Sequence, residues 1–156
     1  MPRDFFLKLE RIEGESDDLM YPLWIEILSF SWGMRQRAGE GLGSTGRTDF
    51  DSLTITKNVD KTSPQLAEAC CTRTRPQRAR LVLCRATGNK AMYYEIKLEK
   101  VVVASVKMEA QGGPGLPVET VQLNFDEIEW TYYGTDHKTG RPLGQVSARF
   151  SLRANK

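Results

Sequence analysis

The sequence predicts a mainly β protein: a partly closed barrel or sandwich of about eight to ten strands, with one short α-helix at about residues 63–72. Three observations support this prediction. Apolar and polar residues alternate over most of the chain, as in strands with one buried face. Turns rich in glycine, proline and serine separate these runs. Two long runs change the phase of their alternation partway, which favours strands that bend a sheet around on itself.

The composition indicates one domain covering residues 1–156 and excludes several classes of function. Lysine and arginine number 22 against 20 acidic residues, so the net charge of +2 gives no general case for nucleic-acid binding. The apolar runs are far shorter than a membrane span, and the N-terminus lacks the apolar core of a signal peptide. We therefore expect a protein made and folded in the cytoplasm, without membrane insertion.

The first half of the chain contains the first change of phase. Residues 5–9 alternate as a strand. In residues 23–36 the apolar set moves from odd to even positions at Ile27–Leu28, which predicts a β-bulge there. Beyond it the strand has a small, smooth polar face, formed by Ser29, Ser31 and Gly33.

Residues 38–48 form a glycine-rich segment that is too long for a hairpin turn. A phosphate-binding loop would need lysine and then serine or threonine entering a helix, whereas Arg47–Thr48 enters a strand. The segment is therefore predicted to be a mobile surface loop, which could become ordered on a partner.

The helix follows a strand over residues 50–59. Thr62 or Ser63 can cap it, Pro64 suits the first turn, and Gln65 would complete a capping box with Thr62. Pro76 ends helical geometry soon after Thr72. Such a short helix is unstable alone, so its apolar side must pack against the sheet. The side chains expected there are Leu66, Ala69 and Cys70, flanked by Ala67 and Cys71.

The second half of the chain continues as strands. Residues 78–86 and 91–99 are predicted to form a hairpin around a turn at 87–90, followed by a separate strand at 101–109. The run 118–133 changes phase near Asp126–Glu127, which predicts a second bulge. After a polar loop at 134–144, the last strand has one apolar face, formed by Val146, Ala148, Phe150 and Leu152.

No motif in the chain predicts catalysis, a metal site or a cofactor. The three cysteines, Cys70, Cys71 and Cys84, are expected to be small buried apolar groups. A Cys–His nucleophile would need His137, which nothing in the sequence places near a cysteine. The arginines after the helix could form a solvated surface, a protein interface or, least favoured, a nucleic-acid site; they are Arg73, Arg75, Arg78, Arg80 and Arg85.

Five segments, in order along the chain, carry a resemblance to one protein family. They are Phe6–Lys8 with Gly14–Ser16, Ile27–Gly33, Thr56–Pro64, Glu119–Phe125 and Leu152–Lys156. Together they resemble the haemolysin co-regulated protein (Hcp) family, the tube subunit of bacterial type VI secretion, which is related in fold to phage tail-tube proteins.

The resemblance implies hexameric rings that stack into a hollow tube inside a contractile sheath, with a spike protein at the tip and small effector proteins in the lumen. It implies secretion from the bacterial cytoplasm without a signal peptide. Some family members carry a C-terminal toxin extension, and we expect none in this chain. Ser29 and Ser31 are the expected effector contacts. The candidate ring or stacking contacts are Gly39, Gly41, Leu42, Gly43, Ser44, Arg75, Arg78 and Arg80. The alternative hypothesis is a monomeric ligand-binding β-barrel with a pocket under the helix.

Overall fold

The computed structural model describes residues 4–36, 48–74, 77–85, 91–136 and 138–154. Within these ranges it has eleven strands and one helix. The elements are β1 Phe5–Leu9, β2 Ile25–Ile27, β3 Ser29–Ser31, β4 Met34–Gln36, β5 Thr48–Phe50, β6 Leu53–Asn58, α1 Ser63–Thr72, β7 Gln77–Cys84, β8 Met92–Glu109, β9 Val118–Asn124, β10 Glu127–Thr135 and β11 Pro142–Ser151.

Nine of the strands pair into two layers that share the long strand β8. The six-stranded layer has the order β2-β1-β7-β8-β10-β11 and uses the first half of β8. The four-stranded layer has the order β8-β9-β6-β3 and uses the second half. Strands β4 and β5 form a separate hairpin. The predicted mainly β, sandwich-like fold is confirmed.

The core lies between the two layers. Its most deeply buried side chains include Leu7, Ile25, Leu53, Ile55, Leu66, Leu81, Ile96, Leu98, Val121 and Leu123. No helix in the described residues is long and apolar enough to cross a membrane.

The first change of phase is not a bulge within one strand, as predicted, but a crossing between the layers. Strand β2 pairs with β1 in one layer, the chain bends at Leu28, and β3 pairs with β6 in the other. The backbone N–H of Leu28 donates to Thr56 O at 2.8 Å, which fixes the corner. The core lies above one layer and below the other. A chain that crosses from one layer to the other must therefore switch its buried side chains between odd and even positions.

The second change of phase has the same cause. Strand β9 belongs to the four-stranded layer and β10 to the six-stranded layer, and the chain crosses at Phe125–Asp126. Two other boundaries differ from the prediction. The runs 91–99 and 101–109 are one continuous strand, β8, in which Lys100 has φ +56°. Strand β11 begins at Pro142, inside the predicted polar loop.

Helix α1 begins and ends close to the predicted residues, but its cap differs. Thr62 makes no side-chain capping bond. Instead, Asp60 Oδ1 accepts from the Thr62 N–H at 2.8 Å and from the Thr62 hydroxyl at 2.5 Å. The helix ends with Arg73 in the left-handed conformation, φ +58°.

The buried side of the helix is narrower than expected. Leu66 and Ala69 are buried and Cys70 is half-buried, whereas Ala67 and Cys71 are exposed. The expectation of buried cysteines therefore holds for Cys84 and is wrong for Cys71.

Candidate functional site

The outward side of the four-stranded layer is covered by short polar side chains. We call it the polar face. Strand register aligns one row across it, Ser29–Thr56–Thr120–Lys107, and a second row, Ser31–Thr54–Gln122–Ser105. A third position is formed by Ser52 and Asn124, whose side chains are hydrogen-bonded to each other. Sequence reasoning identified only the β3 members, Ser29 and Ser31.

Ser29 and Ser31 both lie on the exposed side of β3, as predicted, while Phe30 between them points toward the core. The hydroxyls of Ser29 and Thr56 are 2.5 Å apart and hydrogen-bonded. Ser31 lies opposite Thr54. The structure thus extends the two predicted serines into a surface of hydroxyl and amide groups. The sequences of β6, LTITKN, and β9, VETVQLN, contain the signal for the rest of this surface, because polar residues occupy every second position between the buried apolar ones.

The polar face is nearly free of charge within the described residues. Its charged groups, Lys107 and Glu109, lie on β8 at the open edge of the layer, with Lys107 Nζ 2.8 Å from Glu109 Oε1. Their hydrogen bond raises the pKa of Lys107 and lowers the pKa of Glu109. Both groups are therefore ionised near neutral pH, and their charges cancel locally.

The outward side of the six-stranded layer has the opposite character, and we call it the charged face. Register aligns the row Arg78–Glu99–Glu127 and beside it the row Arg80–Lys97–Glu129–Arg149. Arg78 and Arg80 therefore share one face. Acids and bases lie next to each other across this face.

The two arginines differ in how they are held. Arg78 is mostly exposed and pairs with Glu99, Nε to Oε2 at 3.3 Å. Arg80 donates through Nε, at 2.7 Å, and Nη2 to the buried Glu95, and its guanidinium lies 5.3 Å from the centre of the Trp24 ring. Tyr133 also donates to Glu95, at 3.2 Å. The guanidinium of Arg80 is thus bound to Glu95 within the same chain, whereas that of Arg78 is accessible to a partner.

The remaining interface candidates, Gly39, Gly41, Leu42, Gly43, Ser44 and Arg75, lie outside the described residues, as does His137. Strands β4 and β5 flank the glycine-rich segment. Their hairpin is held by aromatic contacts: the Phe50 ring lies 5.7 Å from that of Phe150 and 5.9 Å from that of Phe125.

A buried polar cluster joins α1 to the four-stranded layer, and sequence reasoning missed it. Lys57 Nζ lies 2.7 Å from Glu119 Oε1 and 3.0 Å from Asp60 Oδ1. The Ser63 hydroxyl donates to the same Glu119 oxygen at 2.5 Å. These residues come from two of the segments that carried the family resemblance, Thr56–Pro64 and Glu119–Phe125. The cluster therefore gives those segments a structural role.

The described residues contain no cluster of three or more histidine, cysteine, aspartate or glutamate side chains that could hold a metal ion. Cys84 lies beside Tyr21, where burial and the hydrogen bond with Cys84 raise the pKa of the tyrosine. The described surface consists of a smooth neutral face, a charged face and several exposed apolar side chains, all of which can contact other molecules.

Comparison with known proteins gives consistent results. A family model described as type VI secretion system effector, Hcp, matches residues 6–132. Protein hcp1 of Pseudomonas aeruginosa is 32% identical over 159 residues, covering 99% of this chain and 98% of that protein. A solved structure of a type six secretion system protein is 30% identical, with a TM-score of 0.90 and 99% of both chains covered. Hcp1 from Salmonella typhimurium is 28% identical, with a TM-score of 0.83, covering 100% of this chain and 99% of the other.

Proposed function

Because this chain belongs to the Hcp family of type VI secretion proteins, a family of structural tube proteins and not of enzymes, we propose that it forms hexameric rings that stack into a hollow tube. In this proposal the polar face lines the lumen. The charged face points outward, toward the contractile sheath, and a spike protein caps the tip of the tube.

The observation that carries the proposal is the contrast between the two outward faces. One presents hydroxyls and amides with a single compensated ion pair, Lys107–Glu109. The other presents rows in which acids and bases are mixed, from Arg78 to Arg149. A wall that cargo must slide past is best neutral and smooth, because isolated charges would hold the cargo in place. A surface that must recognise a partner benefits from fixed charges.

Small effector proteins are the proposed cargo, with Ser29 and Ser31 among their contacts. Both residues lie on β3, the edge strand of the polar face. They have no charged neighbour across the register, where Thr56 and Thr54 lie opposite them. We further propose that residues 1–156 act as one domain that folds in the bacterial cytoplasm. It would leave the cell through type VI secretion.

Ring and stacking contacts are proposed for the glycine-rich segment and for Arg78. The segment lies between β4 and β5 in the sequence, and Arg78 keeps an accessible guanidinium. Arg80 is a weaker candidate because its guanidinium is bound to Glu95 in the same chain.

The alternative, a monomeric barrel with a ligand pocket under the helix, is disfavoured by packing. Leu66 is 0% exposed and Ala69 is 5% exposed beneath α1. The polar groups at the start of the helix, Lys57 and Ser63, are already bonded to Glu119. Directly beneath the helix, the space and the polar groups that a ligand would need are therefore occupied.

Sedimentation velocity and negative-stain imaging of the purified protein test the proposal. We expect particles of hexamer mass, built from the 17.7-kDa chain, with a central hole. A strict monomer at tens of micromolar, or a particle without a hole, would contradict it.

A further inference from the structure

Two exposed apolar elements with opposite charge lie at opposite edges of the six-stranded layer. The first is Asp17–Met20, the acidic tip, in the loop that leads into β2 at one edge. The second is the end of the β10–β11 hairpin, the basic end, formed by Tyr132, Lys138, Arg141, Leu143 and Val146 at the other edge. We propose that the acidic tip of one copy docks on the basic end of the next. This inference rests on the proposed ring.

The acidic tip is a rigid feature of the surface. Leu19 is 97% exposed and Met20 is 65% exposed. Behind them, the ring of Tyr21 stacks on that of Phe6 with centres 4.9 Å apart. A Cβ on Gly14 would lie 2.4 Å from the carbonyl oxygen of Trp24, so only glycine lets the two sides of the loop approach this closely. The loop thus exposes the apolar side chains of Leu19 and Met20 to water, where they contribute little to packing within their own chain.

At the basic end, the core-facing side of the six-stranded layer extends beyond the four-stranded layer. Val146 lies opposite Tyr132, and these side chains are 73% and 45% exposed. Leu143, at 68% exposed, joins them, because a Cβ on Gly134 would lie 3.4 Å from Leu143 Cβ and 3.8 Å from Tyr132 Cε1. These apolar side chains lie on the side of the sheet that faces the core elsewhere, and no described residue covers them.

Charge complementarity indicates that the occupant is a second copy of this chain. The acidic tip carries Asp17, with Glu13 nearby in the same exposed loop. The hairpin end carries Lys138 and Arg141, both exposed and without a described ion pair. The hairpin end also holds Asp136, but its carboxylate accepts from the Lys138 and Thr139 N–H groups inside the turn. The exposed charges beside the two apolar patches are therefore mainly acidic at the tip and mainly basic at the hairpin end.

The two elements also lie at the same level of the sheet, as a side-by-side contact requires. A single register row crosses all six strands: Ile27–Phe5–Leu83–Tyr94–Tyr132–Val146. The row ends in the exposed Val146 on the core-facing side of the sheet. The tip packs through Tyr21 on Phe6, the residue next to Phe5 in β1, on the outward side of the sheet at the same level. Two different patches at opposite edges make a head-to-tail contact, which closes into a ring when the rotation permits.

Disulfide trapping tests the contact directly. The background carries Cys70→Ala and Cys71→Ser, with the buried Cys84 kept. Chains with Leu19→Cys are mixed with chains carrying Val146→Cys, and we expect a covalent dimer that contains one of each. A matched control pairs Val146→Cys with Leu116→Cys, another exposed leucine, at 63% exposed. We expect no dimer from that mixture, nor from either single variant alone.

Charge reversal provides a second readout. We expect Lys138→Glu with Arg141→Glu to raise the concentration for half-assembly by about tenfold, and added Asp17→Lys to recover much of that loss. Wild-type protein that never assembles would overturn the proposed ring. Wild-type rings with neither the mixed disulfide nor the charge effect would overturn this contact alone, as would Leu19→Cys chains that cross-link to one another.

Discussion

Lys57 Nζ lies 2.7 Å from Glu119 Oε1, directly across the β6–β9 pair, and the two side chains are 0% and 1% exposed. Ser63 at the start of α1 donates to the same carboxylate. The ion pair therefore fastens the helix to the inner side of the sheet whose other side is the polar face. It has a cost, because two buried charges must be fully paired and hydrogen-bonded to be tolerated.

We expect Lys57→Met to lower the free energy of unfolding by about 3–5 kcal/mol, because it leaves Glu119 charged and buried without its partner. Urea unfolding at a fixed protein concentration measures this. The double variant Lys57→Met, Glu119→Leu should lose clearly less than the sum of the single variants, since it removes both fully buried charges and leaves only the less buried Asp60 without its lysine. Lys107→Met is the exposed control and should change stability little. A loss below about 0.5 kcal/mol for Lys57→Met would show that the pair is not essential to the fold.

Replacing Leu66 by alanine should remove the main anchor of α1. Because Leu66 is fully buried, we expect a loss of about 2–5 kcal/mol in the free energy of unfolding. Ala67→Ser, on the exposed side of the same helix, serves as the control. Equal effects of the two substitutions would mean that the helix is not packed as described.

Ser31→Gln should leave rings intact but lower the amount of a co-expressed effector that copurifies with them. The longer side chain extends from the exposed side of β3, so it alters the contact surface without entering the core. Thr72→Gln, at the exposed end of α1, is the matched control and should retain the effector. Loss of assembly with Ser31→Gln would place this residue in an interface between copies.

Shortening the glycine-rich segment between Gly41 and Gly46 should impair ring or tube assembly more than folding of the monomer. The hairpin that carries the segment is held by Phe50, which packs against Phe125 and Phe150 independently of the segment's length. Thermal unfolding and sedimentation of the same variant separate the two effects. Equal damage to both would show that the segment belongs to the fold.

Thiol labelling should distinguish the cysteines. Cys71 is exposed and Cys84 is buried, so we expect iodoacetamide to modify Cys71 first and Cys84 only after unfolding. Mass spectrometry of partially labelled protein measures the order. Rapid labelling of Cys84 in the native protein would contradict the packing around Tyr21.

The sequence was a reliable guide to strand content, to the helix and to the exposed positions of Ser29 and Ser31 on β3, because these depend on local alternation and on turn chemistry. It located both changes of phase but not their cause. A bulge and a crossing between layers shift the buried set in the same way, and only the pairing partners distinguish them. At Leu28 the partner changes from β1 to β6.

Other features depend on contacts between residues far apart in the chain. Lys57 and Glu119 look like solvated charges in sequence, and their burial follows only from the β6–β9 register. The same is true of Arg80, whose partner Glu95 lies on the next strand. Val146 lies on the predicted apolar face of the last strand but is exposed, because the four-stranded layer does not reach it.

The central claim is that the polar face lines the lumen of a ring, and accessibility to a large probe tests it most directly. In the Cys70→Ala, Cys71→Ser background, Ser31→Cys is biotinylated and compared with biotinylated Lys97→Cys on the charged face. We predict that streptavidin binds intact rings at position 97 but reaches position 31 only after the rings are dissociated. Equal binding at both positions of intact rings would contradict the account.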